Sequence, residues 1–319
     1  MTKRIGIVGA GAVGASIGAI AMDAGAEVAV IAQGARAQRL LRDGLVVNGS
    51  RYAPAVHDDP AGHEYALVIV ATKSLQLTHA LPLVTAAAAP GPTGGSEATV
   101  MSLLNGISSE GVLREALGPG SERLVVPAMI LGIDAVRDES GVTYLNRGTI
   151  HFGADAEVAP VEPHRLEEIA SLLGGAGIPC DQSADIMQTL WWKFMINVGI
   201  NQASAVLRAP YGLFQRSPHA RSLMSSLMQE VITLSDAVGT GLREEHLSRW
   251  LETLQTLNPV GKTSMLQDVE AGRATEVDLF AETVVRLGSE YGVPTPVNET
   301  ILATIRALEE GGRPEEPHP

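Results

Sequence analysis

Lys193, Asn197 and Asn201 recur at intervals of four within "WWKFMINVGINQAS", residues 191–204. On a helix turning by about 100° per residue they fall at roughly 0°, 40° and 80°, with Ser204 near 20°. Trp191, Phe194 and Val198 flank that arc on one side, Ile196 and Ile200 on the other. A solvated helix face is broad and charged, whereas this is a narrow polar strip between apolar walls. A lysine in such a place suits proton donation to an oxygen that gains negative charge. Burial on such a helix eases release of a lysine's proton in general, and a cation there would stabilise an oxyanion about 3 Å away. The competing reading is a lysine that snorkels out of the core beside two amides bonded to backbone.

A second group of residues suits a different task. Gly9-Ala10-Gly11-Ala12-Val13-Gly14 follows the apolar run "RIGIV" and opens a helical stretch. In that context the first glycine permits a tight turn, the second lets a pyrophosphate approach the backbone, and the third allows close helix–strand packing. The anion then rests on the free N–H groups at the helix start. An acid about 20 residues on would bind ribose hydroxyls. Here "EVAVIAQGARAQRL" ends its strand at Gln33 and Gly34 with no carboxylate, and Arg36 and Arg39 follow. The missing acid favours NADP(H) over NAD(H); the two arginines are either phosphate ligands or solvated helix residues.

Two further polar pairs end apolar strands. Thr72-Lys73 closes "ALVIVATK" and Asn105-Gly106 closes "VMSLLNG". Ligands of open parallel sheets sit beyond the carboxyl ends of the strands, so both pairs stand at the expected mouth of the crevice. An ordinary surface lysine and a plain turn dipeptide are the alternatives.

The elements that must position these groups fall into two sets. Strands are expected at "RIGIVGA", "EVAVIA", 66–72, 98–104 and 123–130, with helices at 12–24 and 76–89 among them. Continuous apolar strands alternating with helices predict a parallel sheet covered on both faces. "GVTYLNRGTIHFG" (141–153) reads as an antiparallel hairpin turning at Asn146-Arg147-Gly148, followed by a helix near 163–173 and a short strand at 177–181. From Asp185 the pattern is helical throughout: 185–207, 217–238, 243–256, 263–271, 276–291 and 296–309. The expected fold is therefore an α/β, Rossmann-like N-terminal domain over residues 1–183 and an all-α C-terminal domain over 184–319. The composition of "EEGGRPEEPHP" makes 309–319 a disordered tail. Domains joined without a linker are expected to form a ligand cleft.

Composition narrows the field further. The chain has 319 residues, 45% of them hydrophobic, and a net charge of −13 without basic clusters, which argues against nucleic acid. A single cysteine, Cys180, excludes an internal disulfide. The eight histidines lack metal-ligand spacing, so no metal is expected. Glycines interrupt the apolar N-terminal run, and no stretch of about 20 apolar residues suggests a membrane span. A cytoplasmic setting is the default expectation. Apolar stripes on the C-terminal helices leave a homodimer open, because core and interface stripes look alike.

The chain resembles the ketopantoate reductase (2-dehydropantoate 2-reductase) family from the glycine loop to about residue 290. "WWKFMINVGINQASAVL" is similar to the family's W-x-K-x-x-x-N-x-x-x-N helix, and "TSMLQDVEAGRATEVD" to its S-S-M-x-Q-D-x-x-x-x-x-x-T-E-I-D segment; "VIVATKS" and "LLNGI" complete the order. The resemblance implies an NADPH-dependent reductase of a 2-keto acid. It assigns Lys193 as the general acid, Asn197 and Asn201 as substrate-orienting amides, and Ser264 as a substrate hydrogen-bond partner. It further implies Glu276 as the acid at the substrate hydroxyl, and Lys73 and Asn105 beside nicotinamide and substrate. Departures bear on the substrate: Gln33 stands where Arg is common, Leu104 where Gln or His precedes the Asn-Gly, and Ala281-Glu282 where an Asn-Gly pair is usual. Reduction of 2-dehydropantoate to pantoate is the leading expectation. A paralogous reductase of another 2-keto acid and a non-catalytic NADP(H)-binding regulator are the alternatives.

Overall fold

The computed structural model describes residues 4–91, 97–155, 158 and 161–311. The chain divides into two compact units, Met1–Met187 and Gln188–Pro319.

The first unit begins with β1 (Ile5–Val8), α1 (Ala12–Asp23), β2 (Val28–Ile31), α2 (Gly34–Asp43), β3 (Leu45–Val47), β4 (Ser50–Tyr52) and β5 (Ala55–His57). It continues through β6 (Leu67–Val70), α3 (Leu77–Ala88), β7 (Thr99–Ser102), α4 (Ser109–Leu117) and β8 (Val125–Val126). It closes with β9 (Ala128–Ile133), β10 (Val136–Asp138), β11 (Gly141–Thr143), β12 (Arg147–Phe152), α5 (Pro163–Gly175) and β13 (Cys180–Gln182). Six of these strands form one parallel sheet in the order β5-β2-β1-β6-β7-β8. That is the doubly wound order, and its direction reverses between β1 and β6. Every residue of β1, β2, β6 and β7 is buried, which is why β1, β2 and β6 read as unbroken apolar runs rather than alternating ones. Ile17 and Ile20 of α1 join Leu166, Ile169 and Leu173 of α5 in one core, while Val84 of α3 and Leu113 of α4 help fill another.

Two expectations for the end of this unit are corrected. The run 123–130 is not one strand: Pro127 separates β8, in the large sheet, from β9, which pairs with β12. Proline has no N–H to continue a ladder, and its carbonyl accepts from Gly153 N instead, at 3.2 Å. Nor do the two halves of 141–153 pair as a hairpin. β11 pairs antiparallel with β10 and parallel with β3, whereas β12 lies between β13 and β9. The Asp134 carboxylate explains the crossing. It accepts from Leu145 N (2.8 Å), Asn146 N (2.9 Å) and Asn146 Nδ2 (2.9 Å), satisfying the turn from outside and leaving the strands free to part.

The second unit is helical. Its opening helix α6 (Ile186–Ile196) passes through a π-helical turn, Asn197–Asn201, into α7 (Gln202–Leu207). Then follow α8 (Tyr211–Arg216), α9 (Pro218–Val238), α10 (Glu244–Thr256) and α11 (Ser264–Glu270). A second π turn, Asp278–Glu282, leads into α12 (Thr283–Tyr291), and α13 (Pro296–Gly311) ends the described chain. Ser217 and Thr263 cap α9 and α11 through their hydroxyls, as expected of these residues at helix starts. Two segments expected as regular helices, 185–207 and 276–291, thus each carry a π turn. The tail expectation is corrected as well: helix continues through Glu309 and Glu310 to Gly311, and residues 312–319 lie outside the described chain. Glu309 Oε1 accepts from both Thr275 N (2.7 Å) and Thr275 Oγ1 (2.6 Å), which anchors that last turn.

Candidate active site

The glycine loop lies at the sheet's reversal point, and its three glycines meet different surroundings. Gly9 has φ +100, and a Cβ there would stand 2.6 Å from Thr72 N. A Cβ on Gly14 would stand 2.1 Å from the Gly9 carbonyl oxygen. Both glycines are therefore demanded by the fold itself. Gly11 is different: a Cβ would meet only Ala71 O, at 3.9 Å, so the chain there faces open space. The start of α1, Ala12 and Val13, carries no side-chain cap and no acidic residue, leaving the positive end of the helix dipole to an external anion. Nearby, Thr72 Oγ1 is buried and has no hydrogen-bond partner among the described residues. An open second glycine, an uncapped helix start and an orphaned hydroxyl fit a dinucleotide's pyrophosphate. Lys73, exposed, and Asn105, half-buried, follow the carboxyl ends of β6 and β7.

Beside the loop is a basic cluster. Arg36, in the first turn of α2, donates from Nη2 to the Ala10 carbonyl at 2.6 Å. Gln33 is turned elsewhere, its amide donating to the Asp58 carbonyl at 3.0 Å. Arg137, outside every motif, donates from Nη1 to the same Ala10 carbonyl at 2.5 Å. Burial first, then the charges of Arg137 and Arg39, push the Arg36 guanidinium below its ordinary value. No local signal marks Arg137, because it lies 127 residues from Ala10 and its hairpin partner β11 is joined to the rest of the fold by pairing with the distant β3.

In the second unit, Lys193 and Asn197 are half-buried and Asn201 is buried, among the fully buried Trp191, Phe194, Val198 and Ile200. Trp191 and Phe194 meet edge-on with ring centroids 5.8 Å apart. The π turn changes the geometry expected from a regular helix. Its i→i+5 pattern holds more residues per turn, so positions four apart come closer to alignment. Asn201 Nδ2 accordingly donates to Asn197 Oδ1 at 3.4 Å. Gly199 lets α9 approach this turn, since a Cβ would stand 2.4 Å from Met228 side-chain atoms.

A π turn frees backbone groups that need partners, and Gln202 supplies them. Its Nε2 donates to Val198 O at 2.7 Å and to Asn298 Oδ1 at 3.3 Å, and its Oε1 accepts from Ala281 N, in the second π turn, at 3.0 Å. Asn298 is held in turn by Glu230, whose Oε2 accepts from Asn298 Nδ2 at 2.7 Å. The half-buried Glu276 lies two residues before this second π turn, which packs against the first. Ser264 is exposed at the start of α11, which packs on α7. Its neighbour Thr263 donates to Ser204 Oγ at 3.2 Å, and Ser204 donates to Ala209 O at 2.7 Å. Ser204 is thereby a structural end to the polar strip. The fold brings the two asparagines into contact and the Glu276 segment against their turn.

Among the described residues, no three His, Cys, Asp or Glu side chains converge as a metal site, and no helix is long and apolar enough to cross a membrane.

A doubly wound sheet with a glycine loop at its reversal point, joined to a helical unit carrying a lysine and two amides, defines a class of dinucleotide-dependent proteins. Comparison with known proteins narrows that class. Residues 5–157 match the family described as Ketopantoate reductase PanE/ApbA, and residues 185–309 match Ketopantoate reductase PanE/ApbA C terminal. The chain belongs to the ketopantoate reductase family and is an oxidoreductase. It is 27% identical to the 2-dehydropantoate 2-reductase of Archaeoglobus fulgidus, covering 97% of this chain and 99% of that one. It is similar to the crystal structure of a PanE/ApbA family ketopantoate reductase from Ralstonia eutropha JMP134, with TM-score 0.80, 25% identity, and 97% and 99% of the chains covered. It shares its fold with D-mandelate dehydrogenase solved with NADH and anilino(oxo)acetate, with TM-score 0.84, 21% identity, and 97% and 99% covered.

Proposed function

We propose that this protein is an NADPH-dependent reductase of a 2-keto acid, with 2-dehydropantoate, reduced to pantoate, as its substrate. The observation that carries the reading is the half-buried Lys193 on the same helix as the hydrogen-bonded Asn197–Asn201 pair. Bound against Gly9, Ala10, Gly11, Ala12, Val13 and Gly14, a reduced nicotinamide cofactor supplies the hydride. The chain's own work is then to bind, orient and protonate. Lys193 Nζ gives its proton to the ketone oxygen as negative charge grows there, and its apolar neighbours Trp191, Phe194 and Val198 keep water from competing. Asn197 and Asn201 offer amide donors and acceptors in a fixed relation and hold the substrate's polar groups. Ser264 bonds the substrate carboxylate, and Glu276 takes the substrate hydroxyl and balances the lysine's charge. Lys73 and Asn105 border nicotinamide and substrate from the strand ends. Arg36 and the absence of an acid after β2 support NADPH over NADH.

A second reading, reduction of another branched or bulky 2-keto acid, draws on Ala281 and Glu282 standing where the resemblance expects Asn-Gly. The purified protein should oxidise NADPH in the presence of 2-dehydropantoate. Activity confined to a panel of other 2-keto acids would favour the second reading. Tight NADPH binding with no turnover on any of them would instead point to a regulator.

A further inference from the structure

We infer that Arg137 is a second ligand for the cofactor's 2′-phosphate, brought to the glycine loop from β10. The inference rests on the NADPH reading above and adds a specificity-determining residue to it.

Three observations converge. First, Arg36 Nη2 and Arg137 Nη1 donate to one oxygen, the Ala10 carbonyl, at 2.6 and 2.5 Å. The two nitrogens are therefore close enough for one phosphate group to bridge. Second, the charge is unbalanced. Neither Arg36 nor Arg137 forms an ion pair among the described residues, and Asp138 beside Arg137 is engaged by Ser140 N (2.8 Å) and Ser140 Oγ (2.6 Å). Two like charges sharing a neutral acceptor repel one another, and a dianion placed between them turns that repulsion into charge-assisted bonds. Guanidinium forks match phosphate geometry better than a point charge does. Third, the position is the one the doubly wound fold assigns to the adenosine ribose, between the glycine loop and the first residues after β2.

The placement of Arg137 is built rather than incidental. β10 pairs with β11 in register Arg137↔Val142, and β11 pairs with β3 through Val142↔Val47. Gly141, at φ +136, permits this, since a Cβ would stand 2.6 Å from Val46 O. β3 and β11 both pack on α1, the helix that the glycine loop opens.

Titration calorimetry on the full chain tests the inference without turnover, using NADPH, NADH, adenosine 2′,5′-bisphosphate and ADP. In Arg137→Ala, binding of NADPH and the bisphosphate should weaken at least about tenfold, with NADH and ADP changed less than about twofold; Arg137→Lys should restore part of the loss. A variant that keeps the wild-type NADPH:NADH ratio overturns the role of Arg137, as does equal weakening of all four ligands, which would mark a purely structural tie. A wild-type protein that binds the bisphosphate no better than ADP overturns the NADPH reading itself, and the inference with it.

Discussion

Gln202 accepts the backbone N–H of Ala281 at 3.0 Å, and so joins the π turn that carries Asn197 and Asn201 to the π turn that follows Glu276. Its amide nitrogen completes the link at Val198 O, 2.7 Å away. Gln202 is fully buried. Gln202→Leu would remove the bonds to Val198 O and Ala281 N and cost about 1–3 kcal/mol for a buried polar group deprived of its partner. The urea midpoint should fall accordingly. Because the lost ties lie in the turn that carries the asparagines, KM for the keto acid should rise more than kcat falls. Gln202→Glu should not recover the stability, since a buried carboxylate would face the Val198 and Asn298 oxygens, both acceptors. Equal kinetic constants in the leucine variant would show that the tie serves stability alone.

Lys193→Ala removes the proposed proton donor. The loss of transition-state stabilisation should be on the order of 2–4 kcal/mol in kcat/KM, while NADPH affinity measured by calorimetry should change little. Near-normal turnover in this variant would sink the proposed mechanism.

The glycine loop separates folding from binding. Gly14→Ala forces a Cβ to within 2.1 Å of the Gly9 carbonyl oxygen, a clash between backbone-anchored atoms, and should lower the melting temperature through overpacking of about 1–3 kcal/mol. Gly11→Ala meets only Ala71 O at 3.9 Å, so its melting temperature should stay near wild type. Its methyl group would stand where the pyrophosphate approaches, and NADPH should bind at least about tenfold more weakly. The two variants should therefore fail different assays, and a Gly11→Ala protein with wild-type affinity would argue against the loop as a pyrophosphate cradle.

His57 gives the pH prediction. Burial, then the charges of His63 and Arg4, lower its pKa from 6.5 to about 4, and its Nδ1 lies 2.6 Å from Tyr65 Oη. The unfolded chain binds a proton between those values and the folded chain does not, so stability rises with pH across that window. The contribution is fully present above pH 6.5 and fades as pH falls toward 4, reaching up to about 3 kcal/mol. The His57 imidazole resonances should remain those of a neutral ring at pH 5.5 in NMR titration. Titration near 6.5 would refute the assignment.

Much of the fold was legible in the sequence, because the signals are local and chemical. Glycine at 9, 11 and 14 after an apolar run announces one kind of turn, and fully buried strands such as "IGIV" and "LVIV" admit no polar alternation. Lys193, Asn197 and Asn201 stood out because helical spacing set them among large apolar residues. One local signal also lies in the Asn48-Gly49 turn between β3 and β4, with φ of 48 and 77, a favoured hairpin dipeptide outside the strands expected from sequence. The strands at 141–153 were not assignable from that stretch alone, since β11 pairs back onto β10 and onto β3 at Val47, while β12 pairs with β9 and β13.

By itself, then, the sequence determined the buried parallel strands, the glycine loop and the identity of the polar strip, since each follows from residue chemistry within a few positions. Only tertiary structure decided that Arg137 meets Arg36 at one carbonyl, and that Gln202 binds two π turns together. Those relationships join residues far apart in the chain. Their cause is the need of buried backbone groups for partners, together with strand pairings that no short stretch of sequence contains.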